Sequence, residues 1–396
     1  MKTIGYVLAE FPVLSETFVG NEMRAMQAQG HTVIPYVLRE VDGPAQAIDV
    51  TMAQEEAFYP VKEPDMEALK ALTGLSGSCV RGLSFAKVQN GIPMVSLMGN
   101  ALKIARLAKA HGVDHLHAHF AGAAAAHAIV AARMIGASVS FVCHGHDVYA
   151  EAQDLPLKLT SADFVVSVCN DLTKDLQDFA PKASVHMVPC GTAPERFVPR
   201  KDAEKNGRLL FVGRLVEQKG TDDIFAALAQ LGPLAPAIDI VGSGPLMEEL
   251  EQESLGNGLY KQGLTFLGPK PAEWISENAP SYVGLIAPFK EAPDGARDTG
   301  PLVVKEAMAM ELPVITTRFM GMKETVTPET GFMVEPGDPE GLARAIVELM
   351  ALSDVERQVM GRAGRKQITE NFTLEGSAKR LSRIIENQSG SARKVA

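Results

Sequence analysis

Arg214 and Lys219 lie in the run Gly213-Arg214-Leu215-Val216-Glu217-Gln218-Lys219-Gly220, directly after the strand-like RLLFV. Glycine permits close backbone approach, and the two side chains bring two cations to a strand's carboxyl end, where a diphosphate could be neutralised. Taken alone, a loop with two solvated charges is the simpler account. Gly242-Ser243-Gly244-Pro245 is a second strand-to-helix turn of the phosphate-cradling kind. It lacks the full GxGxxG spacing and does not follow the first strand, which counts against an NAD enzyme. A third stretch, DGARDTGPLVVKEAMAMELP at 294–313, carries an acid, Glu306, on a helical face otherwise written by Val303, Ala307 and Met310. Thr299 could accept from the first free amides, Gly300 lets a ligand approach, and Pro301 lacks an N–H that the first turn cannot use. Exposed amides at a positive dipole end can seat a phosphate. Without context, an ordinary buried helix with a good cap is the better account of the stretch.

Histidines form the other group. In HLHAHF and CHGHD, residues His115, His117, His119, His144 and His146 are expected near the ends of two neighbouring strands. In open α/β sheets, ligands bind at the carboxyl ends of strands. Metal ligation ranks below hydrogen bonding and catalysis, because no carboxylate spacing along the chain completes a known site. His144, next to Gly145, could serve a substrate hydroxyl, and imidazole changes charge near neutral pH.

These residues need elements to hold them. A length of 396 residues, with 46% hydrophobic and 22% charged content, predicts two to three soluble domains with ample core. A net charge of −10 without a basic run argues against nucleic acid as a partner. Cys79, Cys143, Cys169 and Cys190 are far apart and lack CxxC spacing, so they read as fillers in a reduced compartment. The first eight residues read as a core strand rather than a signal sequence, no run is long enough to span a membrane, and a cytoplasmic location is expected.

Residues 4–8 form a strand-like run, followed by a helix whose expected start is Ser15 with an apolar stripe at Phe18, Met23 and Met26. Residues 32–38 read as the next strand. From 41 to 91, Pro, Gly and charges give only weak helical periodicity. Residues 94–109 predict an amphipathic helix with Lys103, Arg106 and Lys109 on a solvated face, the place where peripheral membrane contact would occur. After further strands at 164–168 and 185–188, the Pro- and Gly-containing residues 189–194 read as a domain linker. Six more strand candidates then alternate with helical segments. Two successive doubly wound α/β halves follow from this order.

HLHAHF, CHGHD, the V-P-x-G linker, FVGRLVEQKG, IVGSGP, LTFLG, the 294–313 stretch and GFMVEPGDPEGLARAI together resemble the retaining glycosyltransferases of family 4. The resemblance covers nearly the whole chain, and FPVLSETFVGNEM resembles a branch that builds bacterial exopolysaccharides and related surface glycans. It implies the GT-B fold: two Rossmann-like doubly wound domains facing a cleft. The first would be an acceptor domain over 1–193 joined by a returning C-terminal helix at about 376–396, and the second a donor domain over 194–375. It implies a hexosyltransferase that takes sugar from a UDP- or GDP-linked donor to a glycan, lipid-linked or small hydroxyl acceptor, without cofactor or metal.

Position by position, the resemblance implies that Glu306, the second of two acids with seven residues between them, binds the nucleotide's ribose. Asp298, where relatives more often have Glu, would contact the donor sugar. Arg214 and Lys219 would hold the diphosphate, with Gly242 and the amides at Gly300, Leu302 and Val303 completing the seat. His144 would stand near the sugar. The linker departs from the family pattern at Cys190, Thr192 and Ala193. Two other readings are an inactive sugar-nucleotide-binding partner and a sugar-nucleotide epimerase on the same fold.

Overall fold

Two separate parallel sheets organise the chain, each built by strands that alternate with helices. The structure is a computed structural model and describes residues 1–41, 43, 45–62, 80–200, 202–256 and 258–388. The chain divides into one unit of Met1–Pro189 with Ser377–Ala396 and another of Cys190–Gly376.

In the first unit the strands are β1 (Thr3–Glu10), β2 (Thr32–Arg39), β3 (His115–His119), β4 (Ser138–Val142), β5 (Phe164–Ser167) and β6 (Val185–Met187), in the order β2-β1-β3-β4-β5-β6. Every residue of β3, β4 and β5 is buried, as a sheet covered on both faces requires. Alanines make the helix Ala123–Ile135 thin enough to lie closely on β3 and β4. It stops at Gly136, whose φ of 77° is the left-handed cap favoured by glycine. Winding proceeds outward from β1 to β2 on one side and from β3 to β6 on the other. The topological switch therefore lies between β1 and β3, where such sheets open a ligand crevice.

Two local expectations fail here. The first long helix is Thr17–Ala28, preceded by a 3-10 turn, and Ser15 makes no capping bond. Along the helix Met94–Ala110, Lys103 is 6% exposed, Arg106 is half-buried and only Lys109 is exposed. The three therefore do not form a solvated basic face, because this helix packs against Ala123–Ile135 and draws the lysine stem inward. Of the weakly patterned region, Ala47–Glu56 is helical, while 63–79, including Cys79, lies outside the described residues. No described helix is long and apolar enough to cross a membrane.

The second unit repeats the plan with β7 (Leu209–Val212), β8 (Ile238–Val241), β9 (Leu264–Gly268), β10 (Gly284–Ala287), β11 (Val314–Thr317) and β12 (Gly331–Val334), in the order β12-β11-β10-β7-β8-β9. Its switch point lies between β7 and β10. Phe211, Ile224, Phe225, Ile286 and Ile346 fill one side of the sheet, and Leu210, Leu285, Val304, Met308 and Ile368 the other.

The last described helix, Leu374–Asn387, passes from one unit into the other. Beyond Ser377 it is fastened to the first unit by the 2.8 Å bond of Ser382 Oγ with His31 Nε2 and by Glu386 at 2.9 Å from the N-terminal amine. Residues 389–396 of the expected returning segment lie outside the described residues.

Candidate functional site

In the second unit, residues from the loops after β7 and β10 meet at the switch point. Lys219 Nζ is ion-paired with Asp298 and stands 5.0 Å from the centre of the Phe289 ring. Arg214 is exposed, and its side chain makes no hydrogen bond or ion pair among the described residues. Gly220 has a φ of 66°, and a Cβ there would meet the Pro288 carbonyl oxygen at 2.0 Å, so only glycine lets these two loops touch. Lys290 N donates to the Gln218 carbonyl at 3.1 Å beside it. Thr316 Oγ1 donates to Ala287 O at 2.8 Å, anchoring the chain as it leaves β10.

Gly242 has a clear structural duty. Its φ is 144°, and a Cβ would lie 1.8 Å from Gly213 O, where the loops after β7 and β8 cross. This crossing accounts for the glycine without a phosphate.

The helix of the 294–313 stretch is Leu302–Ala309. Thr299 is buried but does not cap it: the N-cap is Pro301, no side chain bonds the first amides, and the Thr299 carbonyl instead accepts from Gly321 N at 3.2 Å. Pro301 is extended, with ψ 130°, which carries Thr299 too far back to reach the first turn. Leu302, Val303 and Glu306 share the less buried face. Val304, Lys305 and Met308 face inward, with Lys305 Nζ bonded to the Cys190 carbonyl at 2.8 Å. Glu306 is half-buried, and its carboxyl has no ion pair or hydrogen-bond partner among the described residues. Burial pushes its carboxyl up to about 7, against a smaller lowering by Arg196.

The first unit lines His115, His117 and His119 along β3 beside its own switch point, with His115 at the strand's start, and places His144 just beyond β4. Register places His115 opposite Ser138 and His117 opposite Ser140. His115 Nδ1 bonds Ser138 Oγ at 2.8 Å, and Ser140 Oγ is shared at 2.7 Å by His115 Nε2 and His117 Nδ1. Alternation along β3 thus puts three imidazoles on one buried face, supported by serines of β4. His119 Nε2 lies 3.1 Å from Glu22 Oε1, and His119 Nδ1 lies 3.3 Å from His144 Nε2. Phe18 and Phe120 flank the His144 ring, each with its centre 4.7 Å away. Burial first, and then His119, push His144 down to about 3. His146 turns away, exposed, with Glu151 at 3.5 Å.

Sequence reasoning missed three members. Tyr6 Oη donates to Glu22 Oε1 at 3.0 Å, so Glu22 supplies the carboxylate that spacing along the chain did not offer. Glu22, His117 and His119 present ligand-type atoms within 4.8 Å of one another. Asp147 accepts from Ala121 N at 2.7 Å and His144 N at 2.9 Å, tying the loops after β3 and β4 together. Burial raises its carboxyl to about 6 even though both amides lower it. The usable signal for Glu22 was its place one turn into the helix after β1, beside the switch point.

A pair of doubly wound parallel sheets with these strand-end loops is the GT-B glycosyltransferase architecture. Solved structures agree: a glycosyltransferase from Rickettsia africae is 18% identical with a TM-score of 0.74 over 98% of both chains. Anabaena HepE in complex with UDP and glucose is 15% identical with a TM-score of 0.74, covering 98% of this chain and 100% of that one.

The description "Glycosyltransferase Family 4" matches residues 15–196 and "Glycosyl transferases group 1" matches 206–352; the chain belongs to the glycosyltransferases built from these two domains. It is 24% identical to the putative colanic acid biosynthesis glycosyltransferase WcaL of Salmonella typhimurium, over 97% of this chain and 99% of that one. It is 28% identical to a GDP-mannose-dependent monoacylated alpha-(1-6)-phosphatidylinositol monomannoside mannosyltransferase of Corynebacterium glutamicum, over 67% of this chain and 75% of that one.

Proposed function

We propose that this glycosyltransferase moves a hexose from a nucleoside-diphosphate sugar to a hydroxyl of a glycan or lipid-linked acceptor, with retention of anomeric configuration and without a metal ion. One observation carries the reading. At the carboxyl ends of β7 and β10 the second unit holds a lysine–aspartate pair, an uncapped helix start and, one turn on, an acid with no partner of its own. The division of labour is Glu306 for the ribose hydroxyls, Arg214, Lys219 and the amides of Leu302 and Val303 for the diphosphate, and Asp298 for the sugar. Breaking the sugar–phosphate bond develops negative charge on the leaving diphosphate, and preorganised cations and amides stabilise it. Front-face substitution, with the departing phosphate taking the acceptor's proton, matches an arrangement with no second carboxylate assigned as nucleophile.

The named activities of the relatives support a surface-glycan or phosphoinositide-glycan acceptor, with GDP-mannose and UDP-hexoses as the first donors to try. The test is transfer from a panel of these donors in the presence of EDTA, with product configuration read by NMR. An α-linked product from an α-donor without metal is expected. Inverted product, or activity abolished by EDTA and restored by a divalent ion, would overturn the mechanism. Hydrolysis and transfer both absent with every donor, in protein that binds the nucleotide, would overturn the enzyme reading.

A further inference from the structure

The buried histidines of the first unit have a direction that follows from counting donors and acceptors. Glu22 Oε1 receives Tyr6 Oη at 3.0 Å and His119 Nε2 at 3.1 Å, with His117 Nε2 at 3.3 Å. An ionised carboxylate only accepts, so His119 Nε2 carries a proton toward it. When both rings are neutral, each imidazole has one donor and one acceptor nitrogen. His119 Nδ1 is then the acceptor, and the only hydrogen its neighbour can offer is the one on His144 Nε2, 3.3 Å away. The two rings lie 17° from coplanar with centres 5.6 Å apart, which is the spacing of imidazoles bridged edge to edge within a shared plane.

We propose that Glu22 and His119 are positioning residues that hold His144 in its Nε2–H form, so that His144 Nδ1 presents a lone pair to accept a hydrogen bond from a substrate hydroxyl. Nδ1 has no protein partner among the described residues. Phe18 and Phe120 on the ring, and Asp147 on the His144 amide, keep the imidazole from turning to offer its other edge. The consequence is specific. A His144 of this tautomer recognises a donor, such as a sugar hydroxyl, and cannot donate to a sugar or phosphate oxygen from that nitrogen. The role in substrate recognition rests on the glycosyltransferase reading; the tautomer does not.

A divalent ion on Glu22, His117 and His119 would demand the reverse. His119 would give its Nε2 lone pair to the metal, donate from Nδ1 to His144 Nε2, and leave His144 with its hydrogen on Nδ1.

The deciding measurement is a long-range proton–nitrogen NMR correlation on the full chain with nitrogen-labelled histidine, recorded at about pH 8, where ordinary imidazoles are neutral. His144→Asn assigns the ring. The expected spectrum has a pyrrole-like Nε2 and a pyridine-like Nδ1 for His144. An Nδ1–H tautomer, or one divalent ion per chain that is lost in Glu22→Ala, overturns the proposal. Glu22→Ala provides the second readout: His144 should become a mixture of tautomers, and kcat should fall about tenfold while KM for the donor holds. A kcat unchanged alongside a mixed tautomer would overturn the positioning role. An absence of any transfer by the wild type, with the tautomer as expected, would instead strike the functional reading.

Discussion

Glu306 is an acid that the fold leaves half-buried and unpartnered, with its carboxyl raised to about 7 by burial. A carboxylate accepts two ribose hydroxyls well only when ionised. Donor affinity should therefore strengthen as pH rises through about 7, and Glu306→Gln should be weaker and flat with pH; titration calorimetry across that range checks both. The sign for stability is opposite. A carboxyl raised in the folded state contributes stability that is present below its unfolded value and lost as pH climbs through the folded one. The Gln variant should thus gain in melting temperature over the wild type on going from about pH 4 to about pH 8. Asp298 and Lys219 invite a separate comparison, because each now neutralises the other. Lys219→Ala should lose about tenfold or more in affinity for the free nucleoside diphosphate, a charge-assisted contact. Asp298→Asn should keep or improve that affinity, since it frees the lysine, while losing transfer; equal loss of both would remove the sugar-contact role.

At the scale of elements, the site depends on loops that cross rather than on any one of them. Gly242→Ala would force a methyl to within 1.8 Å of Gly213 O at a φ of 144°. We expect a loss of about 2 kcal/mol or more in folding stability, measured by denaturant unfolding. A fully stable Gly242→Ala variant that merely bound donor less well would favour a phosphate-contact role over the crossing. The His144 and His119 loops have a comparable tie in Asp147. Asp147→Ala strands two buried amides, at a cost of about 1–3 kcal/mol each. Periodicity made the α/β alternation legible, and strand-end placement of Arg214, Lys219 and His144 came with it. Thr299 as cap and Lys103 on a solvated face were misread for one reason: both depend on what packs against the segment, which a single helix's pattern does not carry.

For the whole molecule, the two units can each be probed by ligand linkage. A nucleotide sugar at a hundred times its dissociation constant stabilises what it binds by about 2.7 kcal/mol. The local pattern of this chain was sufficient, by itself, for the class: two α/β series, a linker near 190, and the motifs by which it resembles the family. Hydrophobic period and turn chemistry are short-range properties, and a sequence displays them directly. Strand order was decided only by the tertiary structure. It placed the switch points between β1 and β3 and between β7 and β10, and so brought Glu22 to His119 across 97 positions and Lys219 to Asp298 across 79. Such pairs are written in no local pattern, because they form only when helices fold back to lay distant strands side by side.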